Sequence, residues 1–169
     1  NDRESLDAAA DEIVASGGRC NTYFADLRDL EACDRLVAKI LTDYGRVDVL
    51  VNNAGRSIRR SIELSYDRLH DFQRTMQLNY FAAVRLTLGF LPGMRARREG
   101  QIINVSSVGV LASPPRYAAY IASKAALDAF SRSVAGEVSS DGVAVTTIYM
   151  PLVRTPMIAP TDAYAHTPA

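Results

Sequence analysis

The chain has 169 residues, of which 48% are hydrophobic, and its 19 basic and 19 acidic side chains give a formal net charge of zero. This length and composition predict one soluble globular domain over residues 1–169. The balanced charge favours neither nucleic acid nor an anionic membrane as a partner, and no run of about 18 apolar residues, the length of a membrane span, is present.

The hydrophobic pattern of the first 51 residues alternates between helix and strand. Helical stripes over residues 6–14 and 30–41 each end close to a glycine. A strand-like segment follows each stripe, at residues 21–25 and 47–51, and the second one leads into a turn-prone stretch.

The same alternation continues to residue 149. Helices are predicted over 68–96 and 117–138, and apolar strands follow them at 101–105 and 143–149. Strands with little polar alternation, separated by helices, are typical of a parallel sheet that is covered on both faces. We therefore predict an α/β doubly wound, Rossmann-like fold of three layers.

Polar and turn-forming residues follow each of the four predicted strands. They are Asp26, residues 52–55, residues 106–107 and residues 151–155. Ligands of such sheets bind beyond the carboxyl ends of the strands, and four such ends favour a single cleft.

A phenol and an ammonium group lie four residues apart in the last predicted helix. Tyr120 and Lys124 are i, i+4 neighbours on one face of that helix, and a nearby cation stabilises a phenolate. Ser107 lies upstream of this pair, directly after a predicted strand. This arrangement suits proton exchange with a substrate oxygen.

Four motifs together resemble those of the short-chain dehydrogenase/reductase family. Asn52-Asn53-Ala54-Gly55 matches the family's Asn-Asn-Ala-Gly turn, and Ser107 matches its serine. Tyr120 with Lys124 matches its Tyr-x-x-x-Lys pair, and Asn79 falls at its asparagine. Each motif alone is a weak signal, but their common order and spacing cover nearly the whole chain.

The resemblance implies a role for each catalytic residue. Tyr120 is expected to be the general acid in carbonyl reduction and the general base in alcohol oxidation. Lys124 is expected to assist Tyr120 and to bind the nicotinamide ribose, and Ser107 to hydrogen-bond the substrate oxygen. Asn79 is expected to hold a water in the proton relay.

The resemblance also implies a nicotinamide cofactor, NADP or NAD, with NADP favoured. Hydride must come from a cofactor because no side chain carries one. The expected cofactor contacts are Asp26, Asn53, Ala54, Gly55, Tyr120, Lys124, Pro151 and Thr155. The family's Gly-rich turn and its first two strands have no counterpart here, so we expect a fragment that is truncated at both ends and binds the cofactor poorly alone.

A narrower resemblance is to the reductase domains of actinobacterial multidomain fatty acyl-CoA reductases. Residues 53–61, 67–71 and 79–81, with 150–153 and 155–158, carry it. It implies an acyl-CoA or a long-chain aldehyde as the small-molecule substrate. For Arg56, Arg59 and Arg60 two interpretations stay open, namely contact with phosphate groups of coenzyme A or a nucleotide, and a solvated basic loop.

Other residues keep an alternative interpretation. Asp26 is a candidate helix-start residue, and Asn52 a candidate brace of a turn. Cys20 and Cys33 show no disulfide or metal spacing and suit small buried residues in a reducing, cytoplasmic compartment. His70 and His166 lack neighbouring ligand residues, so no metal is predicted.

Two functional hypotheses follow from these residues. The first is a nicotinamide-dependent oxidoreductase acting on a carbonyl or alcohol, with a homodimer or homotetramer formed through the helices at 68–96 and 117–138 by resemblance. The second is a non-catalytic relative or fragment that keeps the fold for dimerisation or regulation. The complete set of Asn79, Ser107, Tyr120 and Lys124 favours the first.

Overall fold

The computed structural model describes residues 3–153, and its centre is a parallel sheet of three strands. In order across the sheet these are β1 (Val49–Asn52), β2 (Gly100–Ser107) and β3 (Val143–Met150). Leu50 lies opposite Ile102, which lies opposite Val145. All three strands coincide with predicted strands apart from small differences at their ends.

Six helices and three short turns of helix surround this sheet in the described residues. The α-helices are α1 (Arg3–Ala15), α2 (Leu30–Tyr44), α3 (Leu69–Met76), α4 (Ala82–Arg97), α5 (Gly109–Ala112) and α6 (Ala118–Val138). Turns of 3₁₀ helix occupy Ile62–Ser65 and Ser139–Asp141, and a π-helical turn occupies Gln77–Phe81.

Local capping explains where α2 begins and ends. The Asp29 carboxylate accepts a hydrogen bond from the Glu31 backbone N–H at 2.9 Å, which satisfies a free donor at the amino end. At the other end Gly45 takes a left-handed φ of 74° and donates its N–H to the Leu41 carbonyl. The predicted glycine stop is therefore confirmed for this helix.

The long helix predicted over 68–96 is present but is interrupted. The π-helical turn joins α3 to α4, so the backbone stays helical from residue 69 to residue 97 with one widened turn. Asn79 lies inside that turn and is 1% exposed. Such turns add a residue to the helical repeat and often mark functional sites.

Helices α2, α4 and α6 form the core with one face of the sheet. Leu50, Ile102 and Val145 point to this face, and the buried cluster also contains Cys33, Val37, Ala82, Leu86, Phe90, Leu91, Met94, Val138 and Val143. Cys33 is fully buried, while Cys20 is only half-buried, and both thiols are free.

The opposite face of the sheet is open in the part of the chain that the structure describes. Val49 and Val51 on β1 are 50% and 53% exposed. On β3, Ile148 and Met150 point the same way and are also exposed. Coverage of both faces by this chain itself is thus not observed among residues 3–153.

The predicted strand at residues 21–25 is wrong for this structure. No strand is formed there, and Phe24 is 51% exposed with the Arg3 guanidinium 5.0 Å from its ring centre. A strand requires a neighbouring backbone for its ladder of hydrogen bonds, and none of the three described strands lies beside this segment.

A buried polar network ties the sheet to the helices. The Asn52 amide donates to the Asn104 side-chain oxygen at 2.8 Å and to Thr87 Oγ1 at 3.2 Å, so β1, β2 and α4 are linked. Asn104 donates in turn to Ser131 Oγ of α6 at 2.7 Å. Asn52 therefore braces the sheet and its helices, which extends the interpretation as a turn brace.

Candidate active site

A cavity of about 460 Å³ opens at the carboxyl ends of all three strands. Asn53 and Gly55 enter it after β1, Ser107 closes β2, and Pro151 follows β3. Three of the four predicted strand ends therefore meet in a single cleft. Asp26 does not line this cavity, and Thr155 lies outside the described residues.

Tyr120, Lys124 and Ser107 line this same cavity. Helix α6 begins at Ala118, so Tyr120 stands in its first turn and Lys124 one turn later. Ser107 is the last residue of β2, and β2 pairs with β3. The structure thus brings together the three residues that sequence spacing related.

Lys124 is buried against the end of β2. It is 4% exposed, and its ammonium donates to the Val105 carbonyl at 2.7 Å. Loss of water around the charge lowers the pKa of Lys124 from 10.5 to about 8. One of its three N–H donors is used by Val105, and the cavity lies beside the others.

The Asn79 side chain holds the backbone of the loop after β1. Its oxygen accepts the Arg56 N–H at 2.8 Å, and its amide donates to the Arg56 carbonyl at 2.9 Å. The amide also donates to Ser123 Oγ at 2.9 Å. Both amide donors are therefore in use. A relay water at Asn79 has two acceptors available, the Asn79 backbone carbonyl and the second lone pair of its side-chain oxygen.

The backbone at Gly55 passes close to two of the polar side chains of the site. A Cβ at this position would lie 3.3 Å from Lys124 Nζ and 3.4 Å from the Asn79 side-chain oxygen. A methyl group here would be tight against the ammonium and in ordinary contact with the amide oxygen, so glycine leaves the space beside Lys124 free. Asn53 and Gly55 line the cavity beside Lys124, whereas Ala54 does not.

The two serines at the end of β2 differ in environment. Ser107 Oγ accepts the Gly109 N–H at 3.1 Å, and the residue is partly exposed to the cavity. Ser106 is 1% exposed, and its hydroxyl has no hydrogen-bond partner among the described residues. Ser107 is therefore the serine that is placed to donate a hydrogen bond to a ligand.

Asp26 lies in a turn before α2, away from the cavity. Its carboxylate accepts the Arg28 backbone N–H at 3.0 Å and the Arg28 guanidinium at 2.6 Å. Asp29 caps the amino end of α2, so the interpretation of Asp26 as the helix-start residue is wrong. Its contact with adenine stays a prediction.

Sequence reasoning missed Ser123 and Asp71. Ser123, three residues after Tyr120, is fully buried; it donates to the Tyr120 carbonyl at 2.6 Å and accepts from Asn79. Its position beside Tyr120 and Lys124 on α6 was a usable signal. Asp71 is 2% exposed and binds several arginines, a convergence that local spacing does not show.

Residues 3–153 contain neither a metal-binding cluster nor a membrane-spanning helix. Histidine, cysteine, aspartate and glutamate form no group of three or more with metal-binding geometry in that range. None of the helices in the same range has the length and apolar character of a membrane span.

The chain matches a family model described as short chain dehydrogenase over residues 1–165. Among curated proteins it is 55% identical, over 166 residues, to a protein from Acinetobacter baylyi named fatty acyl-CoA reductase. That alignment covers 98% of this chain and 56% of the relative. The chain therefore spans about half the length of such curated relatives.

Two solved structures share the fold at lower identity. A metagenomic short-chain oxidoreductase in complex with NADP aligns with a TM-score of 0.81 and 26% identity, covering 91% of this chain and 83% of that one. NAD⁺-bound xylitol dehydrogenase aligns with a TM-score of 0.85 and 26% identity, covering 93% and 60%. These likenesses confirm the doubly wound fold class, and with the family match they show that the chain belongs to the short-chain dehydrogenase/reductase family.

Proposed function

We propose that this chain forms the catalytic part of a nicotinamide-dependent reductase that acts on a carbonyl group. The observation that carries the proposal is the cavity at the strand ends, where Ser107, Tyr120 and Lys124 meet. Asn79 is linked to this region by hydrogen bonds to the Arg56 backbone and to Ser123 Oγ. A binding module has no chemical need for all four groups in one place.

The proposed reaction moves a hydride and a proton to the two ends of a C=O bond. Ser107 donates a hydrogen bond to the substrate oxygen, since its own oxygen already accepts from Gly109. Tyr120 transfers its phenolic proton to that oxygen as negative charge develops there. The buried Lys124 ammonium stabilises the phenolate that remains. Oxidation of an alcohol follows the same steps in the reverse order.

The residues present fit a nicotinamide nucleotide. The backbone of Gly55 carries no side chain beside the Lys124 ammonium, so a ribose has room to reach that donor. Asn53, Gly55 and Pro151 border the same cavity. When bound, the cofactor would supply the hydride. Structures of similar fold hold NADP and NAD⁺, and we take NADP as the first candidate from the family resemblance.

The proposed substrate is a fatty acyl-CoA or a long-chain aldehyde. The cavity wall is mainly apolar, and its apolar members include Val105, Val108, Pro114, Ile121, Met150, Pro151, Leu152 and Val153. A relative with 55% identity is named fatty acyl-CoA reductase. With a thioester, addition of hydride to the carbonyl carbon and of the Tyr120 proton to its oxygen gives a hemithioacetal. Cleavage of its C–S bond then moves the hydroxyl proton to sulfur, which releases the thiol and leaves the aldehyde.

We also propose that the intact protein forms a homodimer or homotetramer and is cytoplasmic. Phe81, the last residue of the π-helical turn before α4, and Leu88, within α4, are 45% and 53% exposed. Exposed apolar residues on a long helix suit a helix-to-helix interface. Sedimentation equilibrium of the intact protein, compared with a Leu88→Glu variant, would test the interface.

The function is tested by following NADPH and NADH oxidation at 340 nm with the intact protein. The panel should contain long-chain acyl-CoAs, long-chain aldehydes and simple ketones. Turnover of an acyl-CoA or aldehyde is the expected result. If none of these carbonyls is reduced while a nucleotide still binds in a fluorescence titration, the non-catalytic hypothesis replaces this one.

A further inference from the structure

Six arginines lie on the loop after β1, on α3 and just before α6, and two of these segments also contribute Ser57 and Tyr117 to the cavity wall. We call the six arginines the arginine rim: Arg56, Arg59, Arg60, Arg68, Arg74 and Arg116. The carboxylates on the same segments are Glu63, Asp67 and Asp71. In a chain with no net charge, this region therefore carries a surplus of three positive charges.

Half of the rim is held in place by one buried carboxylate. Arg60 Nε and Arg68 Nε each lie 3.1 Å from the Asp71 side chain, and Arg74 also binds it. Desolvation opposes the charge on Asp71, but the arginines outweigh it and lower the pKa of this carboxyl. One negative charge cannot neutralise three guanidinium groups, and their side chains stay 32% to 41% exposed.

The other half of the rim has no carboxylate partner among residues 3–153. Arg56, Arg59 and Arg116 are exposed, and none has an aspartate or glutamate oxygen within 4.0 Å there. Guanidinium groups without counterions attract anions, and their planar fork matches phosphate oxygens.

The rim is joined to the catalytic cavity through the backbone. The Arg60 N–H donates to the Arg116 carbonyl at 2.7 Å, which links the two loops that carry the rim. Arg56 precedes Ser57, and Arg116 precedes Tyr117; both of these neighbours line the cavity. Arg116 adopts a left-handed φ of 73°, a conformation that the surrounding contacts must maintain.

We propose that the arginine rim binds the phosphate groups of a coenzyme A thioester while its carbonyl lies between Ser107 and Tyr120. This inference rests on the proposed function and assigns the carrier half of the substrate to named residues. An apolar cavity next to a cationic rim fits an acyl chain joined to a polyanionic carrier. Arginines that are already held by Asp71 lose little conformational freedom when an anion binds.

The test measures binding of coenzyme A and of pantetheine, which lacks the phosphates, by calorimetry. The intact protein is used with its nucleotide site saturated with NADP⁺. The test variant is R56A/R59A/R116A, because removing Arg60, Arg68 or Arg74 would weaken the pairing of the buried Asp71. The matched control is R35A/R46A/R95A, which removes three exposed arginines elsewhere.

We expect the test variant to bind coenzyme A at least tenfold more weakly, with pantetheine binding unchanged. The control should stay within twofold of the wild type, and added salt should weaken only the coenzyme A interaction. Unchanged affinity in the test variant, or an equal loss in the control, would overturn the inference. Neither result depends on turnover, so failure of the reductase assay is a separate outcome.

Discussion

Lys124 is an ionisable side chain whose charge is separated from water. Its ammonium donates to the Val105 carbonyl and has no carboxylate within 4.0 Å among the described residues. Burial therefore disfavours the charged form, and the pKa of Lys124 falls to about 8. At neutral pH the group is still mostly protonated, as stabilisation of a Tyr120 phenolate requires.

The titration of Lys124 can be observed directly. The sequence contains two lysines, Lys39 and Lys124, so ¹³Cε-lysine labelling of the 169-residue polypeptide gives two NMR signals. We expect the Lys124 signal to titrate near pH 8. Loss of one signal in Lys124→Met assigns it. A Lys124 signal that titrates near its ordinary value of 10.5 would contradict the assigned burial.

The lowered pKa of Lys124 also makes the free energy of unfolding depend on pH. An unfolded lysine keeps its ordinary value of 10.5, so between pH 8 and 10.5 the unfolded chain binds more protons than the folded chain. Lys124 therefore makes the free energy of unfolding rise with pH over this interval, and it contributes a constant penalty below pH 8. Urea denaturation from about pH 7 to about pH 10, wild type against Lys124→Met, should show this rise only in the wild type.

Tyr120 supplies the proton in the proposed reaction. We expect Tyr120→Phe to lower kcat by about 100-fold or more, in line with loss of a general acid, and to leave the nucleotide Kd within about threefold. Tyr117→Phe is the matched control, because Tyr117 lines the same cavity but has Ile121 rather than lysine one turn later. Equal losses of kcat in both variants would show that Tyr120 is not the general acid.

At the scale of elements, Gly142 and Gly136 show how one residue type serves two purposes. Gly142 leads into β3 with a φ of 74°, and a Cβ there would lie 2.1 Å from the Arg98 carbonyl oxygen. Gly136 lies inside α6 without a positive φ, and the position that a methyl group would take there is open space. The first glycine is required by geometry, and the second is not.

The two positions give opposite predictions for the free energy of unfolding. Gly142→Ala should destabilise the fold by more than about 1 kcal/mol, because both the backbone conformation and the Arg98 contact forbid a methyl group. Gly136→Ala should stabilise it by about 0.5 to 1 kcal/mol through helix propensity and a less flexible unfolded chain. Urea denaturation of both variants tests the pair, and equal effects would show that the turn adapts.

The Asn104 amide connects elements that carry the site. It accepts from Asn52 on β1 and donates to Ser131 on α6, the helix that also carries Tyr120. We expect Asn104→Ala to cost about 1 to 3 kcal/mol, because buried polar groups lose their partners. Asn21→Ala, at an exposed position, is the control. A thermal or urea midpoint equal to that of the wild type would show that water replaces the amide.

At the scale of the whole molecule, the open face of the sheet sets the behaviour of the isolated polypeptide. Val49, Val51 and Ile148 form an apolar surface that α2, α4 and α6 do not cover. We expect the 169-residue polypeptide to bind the dye ANS and to self-associate. The variant V49T/V51T/I148T should reduce both, whereas Leu111→Thr, at an exposed residue on α5, should not. Unchanged dye binding in the triple variant would place the dye elsewhere.

The sequence by itself determined the long helical segments, the glycine stop of α2 and the candidate residues Asn79, Ser107, Tyr120 and Lys124. A helix satisfies its own backbone hydrogen bonds, so local periodicity is sufficient to predict α2, α4 and α6. The spacing of Tyr120 and Lys124 likewise depends on a single helix, and the motif order was enough to suggest the family.

Only the tertiary structure decided which segments pair and which charges meet. Residues 21–25 have the composition of a strand, but a strand exists only beside a partner, and the three described strands offer none there. Asp71 binds Arg60, Arg68 and Arg74 from a loop, a turn and its own helix, and Asn79 reaches Ser123 across 44 residues. Such contacts depend on how the chain packs in three dimensions, which local periodicity does not encode.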